Sequence, residues 1–285
     1  MSGFRELYEE LVNFEGEDVF NNLLVPRIAP ARQLLTTLAP HVRLPERPAE
    51  TPIAELWQWY ALSRVSDRLL IGIQAADDFY RSPQQREEAP KREWWRNSVV
   101  TAEQYIQFFA ALGFEPFASV PFSPFYHEIV EVIEAPNLTG RPVVERVFWP
   151  GLMFGEMLFA RAGVSVCCSP GFYRKDIAEN SCLYFTYQRL HRKTEDLSDG
   201  WGSNSQWGTK FRRDYAAGGT FHYNVDGEHP LGPHYEASFD PDDDDRYGEW
   251  TLEERIEMLT HCCFVRCPKD DDDCWPYDDT FQEKS

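Results

Sequence analysis

Residues 101–133 read TAEQYIQFFAALGFEPFASVPFSPFYHEIVEVI, and within this stretch the spacing of apolar side chains changes from helical to extended. Thr101 is followed three positions later by Gln104, the spacing of a capping box. Ala102, Tyr105, Ile106, Phe109 and Leu112 then form one face up to Gly113, a residue suited to ending a helix. From about Phe114 the repeat becomes two. Short aromatic or β-branched runs at 126–133, 143–148, 153–159, 164–168, 183–187 and 220–223, divided by Pro, Gly and Asn, predict strands of an antiparallel sheet. One further helix, 251–260, opens on a second capping box formed by Thr251 and Glu254.

Upstream of this stretch the pattern is helical. Phe4, Leu7, Tyr8 and Leu11 make one apolar stripe. Pro26, Pro30, Pro40, Pro45, Pro48 and Pro52 then require short helices, such as 31–38. Residues 51–66 predict a longer one, with Pro52 in its first turn and Ile53, Leu56, Trp57, Tyr60, Ala61 and Val65 on one side. The polar stretch 80–95 reads as an exposed connection. Helices followed by a run of strands give an α+β fold: an N-terminal helical part, then a mostly antiparallel β-sheet with one late helix. A single domain over 1–285 is expected, with 1–95 as a helical sub-part and 96–285 as an α+β sub-part ending in an acidic region.

Composition bounds the classes. In 285 residues, 42% hydrophobic and 15% aromatic content supply a core, and 26% charged residues solvate its outside. A chain of this length buries roughly three quarters of its unfolded surface and folds without staples. The N-terminus has no basic stretch followed by an apolar run, and no apolar segment approaches the roughly 20 residues of a membrane span, so a soluble, cytoplasmic protein without membrane association is expected. Seven cysteines, two pairs of them vicinal, fit reduced thiols better than a disulfide scaffold.

The net charge is −19, and residues 226–285 hold 19 acidic against 5 basic residues, a net of −14. Residues 161–213 run the other way, with 9 basic against 5 acidic side chains. Such an acidic field repels nucleic acid and favours a basic protein partner.

Several motifs fail on spacing. His261, Cys263, Cys267 and Cys274 are zinc-binding types, yet only Cys263 and Cys267 are spaced as a knuckle, and 261–267 reads as a buried strand. Asp240, Asp242 and Asp244 alternate as in a calcium loop, but the glycine and the closing glutamate are missing. His127 and Glu128 begin a zincin-like pattern that lacks its second histidine. No metal and no cofactor is expected.

The segment 199–215, DGWGSNSQWGTKFRRDY, concentrates glycine, tryptophan and arginine. Trp201, Asn204, Trp207, Lys210, Arg212 and Arg213 are the candidate binding residues, because Trp and Arg dominate interface hot spots. Arg212→Ala is expected to weaken binding and spare stability. With Asp242, Asp243, Asp244 and Asp245 as steering charges, these residues suggest a protein that occludes a basic partner, of which a bacterial toxin-neutralising (immunity) protein is one form. Two alternatives stand beside it. A hydrolase or transferase assembled from scattered His, Cys and carboxylates would show a concave pocket with perturbed titratable groups. A structural subunit of a larger assembly would show a large exposed apolar patch.

Overall fold

A computed structural model of the chain describes residues 3–42, 44, 53–76, 99–118, 120–196, 210–232, 250–267 and 279–285. Helix α1 (Phe4–Val12) buries the stripe of Phe4, Leu7, Tyr8 and Leu11, and the Phe4 N–H donates to Gln58 Oε1 at 3.0 Å. A π-turn, Phe20–Leu24, leads into α2 (Val25–Leu38). That helix is longer than the proline count suggests. Pro26 sits in its first turn, where no backbone donor is needed. Pro30 is one turn further on and forfeits only the bond to the carbonyl four residues back.

Helix α3 (Ile53–Ala76) also exceeds expectation, running ten residues past Ser66. Arg64, Asp67 and Arg68 look like a solvated face in sequence, but all three are buried. The Arg64 guanidinium lies 3.7 Å from the Tyr187 ring centroid and 4.7 Å from that of Tyr8. Helix α4 (Ala102–Leu112) carries the complete Thr101–Gln104 capping box and ends on Gly113 at φ 100.

The strands follow in the order β1 (Glu115–Phe117), β2 (His127–Glu134), β3 (Val143–Trp149), β4 (Gly151–Phe154), β5 (Met157–Ala160) and β6 (Ala162–Cys168). A single turn of helix, α5 (Lys175–Ala178), precedes β7 (Leu183–Tyr184), β8 (Thr194–Glu195), β9 (Asp214–Ala217), β10 (Thr220–Tyr223) and β11 (His229–Pro230). The late helix α6 (Leu252–His261), with its Thr251–Glu254 capping box, and strand β12 (Asp279–Lys284) complete the order. One sheet runs β1-β4-β5-β9-β10-β12-β11, antiparallel except for β11 with β12, and a second runs β2-β6-β3. In the second, β2 is parallel and β3 antiparallel to β6. The pair β7 and β8 is parallel. The α+β arrangement therefore holds.

Three local expectations are corrected. Residues 153–159 form a hairpin, because Gly155 at φ 58 turns the chain between β4 and β5. The strand from Leu183 stops after Tyr184, where Phe185 takes φ 56. Residues 261–267 are not a strand: α6 runs to His261 and Cys262 closes it in the left-handed conformation at φ 57. The expected connection 80–95 lies outside the described residues.

One core joins helices to sheet. Trp59 of α3 packs against Phe114, Phe154, Phe159 and Phe211, with ring centroids 5.0–6.4 Å apart. A second core lies against the β2-β6-β3 sheet and takes in Tyr173, Cys262, Cys263 and Val265. Gly163 of β6 faces Trp149 so closely that a Cβ there would fall 2.2 Å from the indole, and Trp149 Nε1 donates to the Arg161 carbonyl at 3.1 Å. That donation ties β3 to the start of β6, beside the site described next. No helix among the described residues is long and apolar enough to cross a membrane.

Candidate functional site

Between α3, β2, β5, the start of β9 and the end of α6 lies a cavity of about 100 Å³. Tyr60, Ser63 and Asp67 reach it from one face of α3, as their three- and four-residue spacing requires. Its lining carries four cationic groups, Arg161, Arg189, Lys210 and Arg212, and four carboxylates, Asp67, Glu128, Asp196 and Asp214. The signs are unevenly placed.

On the acidic wall a single guanidinium serves two carboxylates. Arg189 meets Glu128 through Nε (3.0 Å to Oε1) and Nη2 (2.9 Å to Oε2), and Asp67 through Nη1 (2.8 Å to Oδ1). Asp67 Oδ2 also accepts from the Tyr187 N–H at 2.8 Å. Burial disfavours the charge of Arg189, but Asp67 and Glu128 more than offset this and raise its pKa. Tyr60 donates its hydroxyl to Asp196 Oδ2 at 2.7 Å. Behind this wall His191 lies 3.5 Å from Glu128 Oε1. Burial first, then the charges of Arg192 and Arg189, push its pKa well below the usual histidine value, so it is neutral.

The opposite wall has the reverse imbalance. Asp214 is the carboxylate shared by two guanidiniums: Arg212 Nε reaches Oδ1 at 2.8 Å and Arg161 Nη2 reaches Oδ2 at 3.4 Å. The remaining donors go to neutral acceptors, Arg161 Nε to the Phe125 carbonyl (3.2 Å) and Arg212 Nη2 to the Leu259 carbonyl (2.7 Å). Cys262 Sγ accepts from Arg161 Nη1 at 2.6 Å and from Arg212 Nη1 at 3.2 Å. Burial opposes the charge of Arg161 as well, and Cys262 and Asp214 outweigh it, raising its pKa.

Of the residues expected from sequence, Lys210 and Arg212 reach this cavity. The Arg212 side chain is only 6% exposed, so its removal would also cost stability, contrary to the expectation for a surface loop. Arg213 is fully buried away from the cavity, where Nε donates to Asp226 Oδ2 at 2.8 Å. Trp201, Asn204, Trp207, Asp242, Asp243, Asp244, Asp245 and Cys274 lie outside the described residues. The described residues that flank 197–209, Asp196 and Lys210, both line the cavity.

Among the described residues, which include His261, Cys263 and Cys267, no group of three His, Cys, Asp or Glu side chains could hold a metal ion. His261 contacts the Tyr173 hydroxyl at 3.3 Å, and burial lowers its pKa to about 3. Burial pushes the Cys263 thiol up, and the Cys267 thiol donates to Glu254 Oε1 at 3.1 Å.

Sequence reading missed Asp67, Arg161, Arg189 and Asp196, and it met Glu128, Asp214 and Cys262 only within a zincin-like pattern, the 199–215 segment and a zinc-type cluster, without assigning them to this site. One signal did point toward them: the basic surplus of 161–213 in an otherwise acidic chain. A second, larger cavity of about 490 Å³ runs between α2, the end of α4 and the β4–β5 turn, but apart from Arg32 and Glu156 its lining brings few charges together. Comparison of the chain with protein-family models, with curated proteins and with solved structures returns no match.

Proposed function

We propose that the protein binds a small polar molecule in the cavity between α3, β5 and the end of α6. The observation that supports this reading is the convergence of eight charged side chains on an open space. Burying ion pairs is costly, and well-packed apolar residues of similar volume often give a more stable core. A concave site with charges held in fixed positions is what small-molecule recognition needs.

A thermal-shift screen of small carboxylates, phosphates, amines and sugars tests it. A ligand at a hundred times its dissociation constant adds about 2.7 kcal/mol, a rise of several degrees in Tm. Ser63→Leu, which places a larger side chain from α3 into the cavity, is expected to keep most of the unliganded Tm and abolish the rise. Equal stabilisation of wild type and Ser63→Leu, or no stabilising compound at all, would count against the reading.

A second reading, occlusion of a basic protein partner such as a toxin, draws on the net −14 of residues 226–285. Part of that charge serves the fold itself: Asp226 pairs with Arg213, Glu257 with Arg266 and Asp279 with Arg255. For a partner captured at low salt, replacing Asp242, Asp243, Asp244 and Asp245 with Asn is expected to slow association more than it speeds dissociation. The difference should vanish at high salt. An association rate unchanged by salt would end this reading.

A further inference from the structure

We propose that the wall formed by Arg161, Lys210 and Arg212 is an oxyanion subsite, and that the ligand of the cavity carries a carboxylate or phosphate group seated there. The inference rests on the small-molecule reading and adds the chemical class of the ligand. Three cations on this wall face one carboxylate, Asp214, whose Oδ1 already accepts from Arg212 Nε and from the Asn224 N–H at 2.7 Å. The other bonded guanidinium donors end on carbonyls, which balance no charge, and on Cys262 Sγ, where even a thiolate would leave the three cations one positive charge in excess. Lys210 is exposed, lines the cavity, and has no hydrogen bond or ion pair among the described residues.

The rest of the cavity directs an anion to this wall. Asp67 and Glu128 share Arg189, leaving one negative charge in excess on the α3 side. An oxyanion is therefore repelled from the α3 side and attracted to the β9 side. A space of about 100 Å³ holds several water molecules, room for a carboxylate or phosphate group with a few further atoms. Guanidiniums match such groups in geometry, and an ammonium adds a mobile point charge.

Cys262 supplies a reporter inside the subsite. Iodoacetate and iodoacetamide present the same carbon to sulfur, one with a negative charge and one without. In each case the sulfur–carbon bond forms, the carbon–iodine bond breaks, iodide leaves with the bonding pair, and the thiol proton passes to solvent. Native full-length protein is labelled with each reagent, and modification of Cys262 and of the half-exposed Cys167 is followed by peptide mass spectrometry.

At Cys262 iodoacetate is expected to react faster than iodoacetamide by about fivefold or more, the factor one unit charge supplies at contact distance even in water. Cys167 should show no such preference. Millimolar inorganic phosphate should slow iodoacetate at Cys262 alone, and Lys210→Ala should bring the ratio at Cys262 towards that at Cys167. A ratio at Cys262 equal to that at Cys167, with no protection by phosphate, overturns the oxyanion subsite and leaves a cavity that admits solutes. If neither reagent labels Cys262 in the native protein while both label it after unfolding, the subsite and the small-molecule reading fail together.

Discussion

Arg189→Ala is expected to destabilise the fold by about 3–5 kcal/mol, the usual cost of stripping one partner from a buried ion pair. The Arg189 side chain is 5% exposed and the Glu128 side chain 3%, so solvent screens the pair only weakly. Asp67 would keep the Tyr187 N–H, but both carboxylates would lose their counter-charge. Urea unfolding monitored by circular dichroism measures the loss. Replacing all three residues together, Arg189→Met with Asp67→Leu and Glu128→Leu, should cost less than Arg189→Ala alone, because an apolar set of similar volume buries no uncompensated charge, although the Tyr187 N–H loses its acceptor. A loss below about 1 kcal/mol for Arg189→Ala would mean that water reaches this network and that the acidic wall is not held as described.

Acid should unfold the protein well above the range where carboxylates alone would matter. Three histidines are neutral in the fold. Burial, then the nearby charge of Arg161, lowers His127 to about 4 against the partial support of the Ser123 backbone. Burial and the charges of Arg161 and Arg266 lower His261 to about 3, although it contacts the Glu257 carbonyl, and His191 lies well below its usual value despite Glu128 nearby. In the unfolded chain each takes up a proton near pH 6.5. Between pH 6.5 and about 4 the unfolded state therefore binds more protons, and stability falls with pH by up to about 1.4 kcal/mol per pH unit for each histidine. The urea midpoint is expected to be flat from pH 8 to 7 and to drop steeply below pH 6.5, with His261→Asn removing about a third of the slope. A midpoint constant from pH 7 to 5 would contradict the burial of these imidazoles as neutral groups.

Local rules made much of the fold legible. The two capping boxes, Thr101 with Gln104 and Thr251 with Glu254, fix where α4 and α6 begin, and Gly113 fixes where α4 stops. These are signals carried by residues a few positions apart. What failed locally did so for physical reasons: Gly155 turned an expected strand into a hairpin, and β12, reading DTFQEK, offers too few apolar positions to show a period. Helix α3 runs past the expected end at Ser66, and Asp67 and Arg68, charged residues just beyond that point, are buried by contacts made far along the chain.

The candidate site was least legible of all, since its contacts are made by the fold. Arg161 and Cys262 touch across 101 positions, and Arg189 and Asp67 across 122. No spacing rule reaches that far. The reading of 199–215 as a binding segment put Lys210 and Arg212 among the candidates, and they line the cavity. It also drew in Arg213, which serves the core.

The most direct test of a ligand site between α3, β5 and the end of α6 is a crystal structure of the protein with the compound that stabilises it most in the thermal-shift screen. The expected result is density for that compound in this cavity, with its anionic group within about 3 Å of Lys210 and Arg212, the span of a charge-assisted hydrogen bond. Density in the groove between α2 and α4 instead, with the charged cavity filled by its own side chains, would contradict it.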